Sequence, residues 1–226
     1  CDINKDGLPD YVVGNLGENY KFTASKKIPF PVYVNDFDGN GSQDIVLGYS
    51  NSGTYYPVRG KECTSQQMPQ IKSQFPSYEA FGNASLTDIY GDKLDSSLHY
   101  EVFNFSTVIL ENKKTEFAVT RLPIEAQFSA VQGILTEDFT GDGEVDILLA
   151  GNFFVSEVET GRADASNGLL LEGRGNFEFT SMPTIESGFY TPNDVRDLQF
   201  FYSTDNQPKV IVTNNNFRPH FFRMTK

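Results

Sequence analysis

The chain contains no tryptophan, two cysteines and two histidines among its 226 residues, and each scarcity removes a class of chemistry. Without tryptophan the strongest aromatic platform for stacking a sugar ring is missing. Tyr55-Tyr56 or Phe153-Phe154 would have to serve instead, and such pairs read more simply as strand packing. Cys1 and Cys63 cannot build a disulfide framework, so the fold does not rest on covalent staples. His99 and His220 lie far apart without ligand-spaced partners, which argues against a histidine metal site. Ser50 and Ser52 therefore lack a base, and Gly48-Tyr-Ser-Asn-Ser-Gly53 misses the spacing of a nucleophile elbow. Glu172-Gly-Arg-Gly-Asn176 is a lone G-x-G with no helix after it, a weak phosphate signal and a good hairpin turn. Positive charge is short as well. Eighteen Lys and Arg face thirty Asp and Glu, a net charge of −12, which argues against partners rich in phosphate, nucleic acid and anionic membrane alike. No apolar run is long enough to cross a bilayer.

What is abundant points to β structure. Nineteen Gly and eleven Pro, with an aromatic share of 14%, fit many turns between short strands around an aromatic-rich core. Nine aspartates are gathered in three short loops. The first is Asp2-Ile-Asn4-Lys-Asp6-Gly7-Leu8-Pro-Asp10, followed by Tyr-Val-Val-Gly14-Asn. The second is Asp36-Phe-Asp38-Gly-Asn40-Gly41-Ser42-Gln-Asp44, followed by Ile-Val-Leu-Gly48-Tyr. The third is Asp138-Phe-Thr140-Gly-Asp142-Gly143-Glu144-Val-Asp146, followed by Ile-Leu-Leu-Ala-Gly151-Asn. One such cluster alone would pass for a solvated turn. Three in a single register, each running into the same strand and glycine, form a repeat.

Oxygen side chains at loop positions 1, 3, 5 and 9, with Gly at 6, match what Ca²⁺ needs: six to eight hard oxygens and a sharp turn that folds them round the ion. The backbone carbonyls of Leu8, Ser42 and Glu144, at position 7, would add one ligand each. This is the first half of an EF-hand loop without the second. Position 12 is Val13, Leu47 or Leu149, where an EF-hand places a bidentate Glu. Position 9 is therefore expected to complete each site and to lead directly into a strand. Up to three ions would bring the charge to about −12 + 6 = −6. Thr140 offers a neutral oxygen, so the third loop is expected to bind most weakly.

The runs Asp36–Gly48 and Asp138–Gly151 resemble FG-GAP and VCBS repeats, the units of β-propeller blades in integrin α-chain heads and many bacterial surface proteins. The chain also resembles bacterial relatives of cartilage acidic protein. The resemblance implies an all-β fold of propeller blades spanning residues 1–226, an incomplete ring, with Ca²⁺ in loops that join two blade strands. The chain opens inside the first loop, so a further segment is expected upstream to carry any export signal or anchor. Cys1 as a lipid-bearing cysteine fits poorly, because Asp2 would already be a ligand with no spacer.

Between the second and third loops lie residues of another character. From Glu62 to Leu94 alternation stops, and Met68, Ile71, Phe75 and Tyr78 fall at steps of three and four. Pro69 and Pro76 break any long helix, which predicts a small helical insertion of two or three short pieces over 62–94. Strands are expected at Tyr20–Thr23 and Pro31–Val34, at Tyr100–Leu110 paired with Thr115–Leu122, and at Leu169–Leu171 with Phe177–Phe179. A last pair, Leu198–Tyr202 and Lys209–Thr213, is expected to join through a metal-free turn at Asp205–Pro208.

Two functions fit these residues. One is a non-catalytic extracellular or cell-surface module, its loops stiffened by Ca²⁺ and its face turned to a protein or glycan. The other is the propeller of a calcium-dependent carbohydrate-active enzyme such as a polysaccharide lyase, which would need basic residues and tyrosines converging on one pocket. Carboxylates holding Ca²⁺ stay ionised and make poor proton donors, and the basic residues here are few and scattered. The first is the reading the sequence favours.

Overall fold

The computed structural model describes residues 1–156, 160–202, 204 and 208–224. In chain order its first strands are β1 (Tyr11–Val13), β2 (Phe30–Asn35), β3 (Asp44–Asn51) and β4 (Thr54–Pro57). Four short helices follow: α1 (Lys61–Gln67), α2 (Ile71–Gln74), α3 (Tyr78–Gly82) and α4 (Leu86–Tyr90). Next come β5 (Leu98–Val102), β6 (Val108–Asn112), β7 (Phe117–Arg121), β8 (Val131–Glu137), β9 (Asp146–Gly151), β10 (Leu169–Gly173) and β11 (Phe179–Met182). The single turn α5 (Thr184–Ser187) precedes β12 (Val195–Tyr202), β13 (Pro208–Asn214) and β14 (Phe217–Arg223). The architecture is mostly β, with four antiparallel sheets, and among the described residues no sheet closes on itself. Among the described residues no helix is long and apolar enough to cross a membrane. The expected turn at Asp205–Pro208 lies, for residues 205–207, outside the described residues.

The chain divides into two compact units. The unit Phe22–Phe105 holds the sheet β4-β3-β2-β5, with α1–α4 against one face. Val46 on β3 points into the helices, where Met68, Ile71, Phe81, Leu86 and Ile89 close the core. Pro69 and Pro76 stand in the gaps between successive helices, and Ser77 and Ser85 cap α3 and α4. Each restart also resets the helical phase. Tyr78, expected in the apolar stripe, is exposed: its ring lies under the Lys61 ammonium and its hydroxyl donates to Glu62, while Phe81 takes the core position. Residues Tyr20–Thr23 form no strand; Phe22 instead packs its ring on Phe30 and Phe105. The run expected as one strand over Tyr100–Leu110 is two. Leu98–Val102 pairs with β2, whereas Val108–Asn112 pairs with β1 and β7, and the boundary between the units falls in the break, between Phe105 and Ser106.

The other unit, Cys1–Lys21 with Ser106–Lys226, layers three sheets. Val12, Ile109, Ile147, Leu149 and Leu171 join β1-β6-β7 to one face of β11-β10-β9-β8. Leu148, Ala150 and Leu170, on its other face, meet Leu198, Val210 and Val212 of β12-β13-β14. β9 is therefore buried on both faces along its whole length, which is why Ile-Leu-Leu-Ala shows no alternation. Close approach of β8 to β12 depends on Gly133, where a Cβ would stand 2.6 Å from the Leu198 side chain.

Two polar groups secure the segments that lead into this stack. Gln127, 1% exposed, donates to the Thr107 and Leu122 carbonyls and accepts from the Thr107 amide. Glu18 accepts from the Arg121 Nε and Nη2 at 2.5 and 2.7 Å and from the Ser106 hydroxyl. The Arg121 hydrogen bonds, outweighing desolvation, hold the Glu18 carboxyl down at about 2. A folded-state value below the unfolded one contributes stability that is complete above the ordinary range near 4.5 and is lost as pH falls towards 2. Wild type should therefore melt above Glu18→Gln at pH 6, with the gap closing between pH 4.5 and 2. A gap unchanged across that range in thermal melts would contradict the assignment.

Candidate metal centres

Each aspartate-rich loop ends at the start of a strand: β1, β3 and β9 begin at or immediately after Asp10, Asp44 and Asp146. Each is closed by a backbone pair between the residue before position 1 and position 9. Asn35 faces Asp44 at the end of the β2–β3 ladder and Glu137 faces Asp146 at the end of β8–β9. In the first loop Cys1 and Asp10 exchange both backbone bonds, at 2.6 and 3.1 Å.

Within the loops one hydrogen-bond scheme recurs. The position-1 carboxylates of Asp2, Asp36 and Asp138 accept the backbone amides of positions 5 and 6, and in the last two also that of position 4. The side chains at position 5, Asp6, Asn40 and Asp142, accept the amides of Leu8, Ser42 and Glu144. Such inward-turned amides require left-handed backbone. Position 6 has it in every loop, with φ of 87°, 90° and 91° at Gly7, Gly41 and Gly143. So does position 4, occupied by Gly39, Gly141 and, at φ 61°, Lys5. Aligning the loops would have exposed position 4, since two copies carry glycine there.

Position 9 is buried: Asp10, Asp44 and Asp146 are 1%, 5% and 0% exposed. One carboxylate oxygen accepts an amide of its own loop, from Ile3, Phe37 or Thr140. The other reaches outside it, to the Asn112 amide at the end of β6, to Gln67 Nε2 of α1, and to the Gly173 amide at the end of β10. Gln67 replaces a backbone donor because β4 stops at Pro57, short of Asp44. Nothing in the sequence singles out Gln67, and the Asn112 and Gly173 amides are placed only by the strand register of the structure.

Among the described residues the structure brings three acidic side chains together as a cation would require: Asp36, Asp38 and Asp44 place ligand oxygens within 4.8 Å of one another. The Gly41 amide foremost, with those of Gly39 and Asn40, keeps the Asp36 carboxyl below its usual range and so ionised. The other two loops carry neutral Asn4 and Thr140 at position 3, and their third acid, Asp6 or Asp142, is turned to the position-7 amide. Lys5 links these two loops, its ammonium bonded to the Gly143 carbonyl at 3.0 Å and to Glu144 at 2.7 Å. Every donor is oxygen, a set that suits hard cations rather than zinc or copper.

The remaining residues weighed for chemistry stand apart. His99 stacks on Tyr33 with ring centroids 4.4 Å apart, and His220 meets Phe217 edge-on. Tyr55 donates its hydroxyl to the Pro29 carbonyl. Arg196 and Arg162 lie over the rings of Phe153 and Phe154. Comparison of the chain with protein-family models, curated proteins and solved structures finds no match in any of the three.

The ninth aspartate has a measurable structural role that does not require metal. Asp146→Ala leaves the amides of Thr140 and Gly173 without their acceptor, and at about 1–3 kcal/mol for each unsatisfied buried group it should destabilise the chain by roughly 2–4 kcal/mol. Asp142→Ala, on the exposed side of the same loop, should cost under about 1 kcal/mol. Urea unfolding in chelator checks both, and similar small losses would remove the structural role.

Proposed function

We propose that the chain is a calcium-binding repeat protein of the FG-GAP/VCBS β-propeller kind, a non-catalytic extracellular or cell-surface module that presents its surface to a protein or glycan. The observation that carries this reading is the repeated loop. Three copies of an oxygen-only donor set share one hydrogen-bond scheme, each placed between paired backbone positions at a strand start. Asp36, Asp38, Asn40, the Ser42 carbonyl and Asp44 would hold one ion. Asp2, Asn4, Asp6, the Leu8 carbonyl and Asp10 would hold a second, and Asp138, Thr140, Asp142, the Glu144 carbonyl and Asp146 a third. A bound cation would neutralise carboxylates crowded at the strand start.

The blade reading draws support from β8-β9-β10-β11, an antiparallel meander whose first connection is the third loop. The set β1-β6-β7 repeats the last three strands of that meander. Asp10 bonds the final amide of β6 as Asp146 bonds that of β10. β8 and β12, each opening a sheet in sequence, share the same register shift one residue after their start. Face-to-face packing of the three sheets within the unit is the arrangement of neighbouring blades.

In this reading calcium is structural, because its ligands lie where strands begin. Calorimetric titration should find up to three sites, the second loop tightest and the Thr140 loop weakest, with Mg²⁺ competing poorly because it demands tighter octahedral geometry. At free calcium a thousand times Kd the folded state gains about 4 kcal/mol, so chelation should lower the melting temperature by several degrees. Asp36→Asn should abolish the tightest site. A chelator-stripped chain that takes up no calcium would refute the reading, and an unchanged melting temperature on chelation would make the ion part of a recognition site.

A further inference from the structure

The sheet β8-β9-β10-β11 has four strands and β12-β13-β14 has three, and their registers show which strand the second lacks. Both open with the same register shift, after which Ile134 faces Leu149 and Leu198 faces Val212. Leu149 and Val212 are therefore equivalent, and so are Ile147 and Val210 two residues before them. Across the next ladder Ile147 faces Leu171 and Val210 faces Phe222, so β14 holds the place of β10, and Met224 that of Gly173. β10 goes on to pair with β11, where Gly173 faces Phe179. β14 pairs with no further strand among the described residues.

Beside β14 lies a cavity of about 520 Å³, inside the range of about 300–1,000 Å³ usual for ligand clefts. Leu148, Leu170 and Met182 line it from one sheet, Val210 and Phe222 from the other, and Phe189 packs its ring on Phe222 at 4.8 Å. Successive residues of a strand point to opposite faces, so a cavity that touches Phe222, Arg223 and Met224 in a row touches the edge of β14. That edge carries unused backbone groups. The Met224 amide donates to the Pro208 carbonyl of β13, as the Gly173 amide donates to Asp146 of β9. By alternation the amides and carbonyls of Phe221 and Arg223 point outward. No described residue bonds them, nor the Arg223 guanidinium. Pro219, within the register shift of β14, has no amide to offer, which confines the open edge to residues 221–224. An unpaired edge is a template for another strand.

We propose that β14 takes up an extended peptide of another protein as a fourth strand, with an apolar side chain seated in the cavity beside Met224. β11 shows what such a strand requires. Its Phe179, at the equivalent place, turns the same way as Ile147 and packs into the core beneath its sheet, as Val210 turns to the cavity. A small apolar molecule would fill the cavity and leave the outward amides and carbonyls to water, whereas a strand uses both. A second copy of this chain is a poor donor through the same edge. β14 carries Arg218 and Arg223 and no acid, so two copies of it would set like charges across the ladder. A strand with an acid near Arg223 gives that guanidinium its partner, as Glu178 of β11 would, lying diagonal to it on the equivalent ladder. The site needs no ion, so it stands whether or not the loops bind calcium.

The test titrates the full chain, in chelator, into a dye-labelled peptide Asn-Phe-Glu-Phe-Thr-Ser-Met, the sequence of residues 176–182, and reads fluorescence anisotropy. The proposal expects saturable binding, weakened about tenfold or more when alanine replaces the phenylalanine that copies Phe179. The amides copying Thr180 and Met182 would lie opposite Arg223 and Phe221. Their N-methylation should abolish binding, and N-methylation of the amides copying Phe179 and Ser181 should leave it. Arg223→Pro removes an outward donor where an edge strand accepts proline and should abolish binding as well. Thermal melts show whether this variant is folded, and the two methylated peptides test the edge in the wild-type chain if it is not. Absence of saturable binding overturns the proposal. So do equal effects of the two methylation patterns, which would leave a cleft for small apolar ligands. Self-association of the chain in sedimentation that Arg223→Pro abolishes, without peptide uptake, overturns it too and gives the edge to a second copy.

Discussion

The interaction on which each repeat depends is the buried carboxylate at loop position 9. A charged group almost without solvent is tolerated only when its oxygens are satisfied, and Asp10, Asp44 and Asp146 each satisfy theirs in two directions. One oxygen closes the loop on itself; the other fastens the loop to the next strand or, through Gln67, to α1. Each carboxylate oxygen has a further lone pair, so closure of the loop and ligation of an ion are compatible. The loop is held in shape by its amides, and the side chains at positions 1, 3 and 5 are more exposed than the ninth aspartate.

From that anchor the differences among the loops acquire a physical meaning. Asp38 lets the second loop gather three acids from nine residues. Asn4 and Thr140 leave the other two with a neutral side chain at position 3, and neither gathers three acids within reach of one another. Lys5 carries the contrast further. Where the other loops have glycine, it takes a left-handed conformation that L-residues rarely adopt and ties its loop to the third through Gly143 and Glu144.

What could be read in the sequence is what short range decides. Loop glycines, the acids between them and the strands behind them follow from backbone geometry within a dozen residues, so the starts of β1, β3 and β9 were legible from Asp10, Asp44 and Asp146. Long-range pairing was not. β1 finds β6 across an intervening stretch that contains the whole unit Phe22–Phe105, and the apolar run over Tyr100–Leu110 gives no sign that its halves belong to different sheets. Tyr78 matched a helical stripe by spacing, but Pro76 separates it from the helix that sets the phase.

Amide hydrogen exchange, resolved residue by residue in chelator-treated protein and again with calcium, tests the central claim most directly. If the ninth aspartate anchors each loop without metal, the amides of Ile3, Phe37, Thr140, Asn112 and Gly173 stay protected in chelator about as well as the strands beside them. The amides at positions 5 and 6, held by the first aspartate, exchange fast in chelator and slow when calcium is added. Rapid exchange of Phe37, Thr140 and Gly173 in chelator, recovering only with the ion, would contradict that claim and give the anchoring role to the metal.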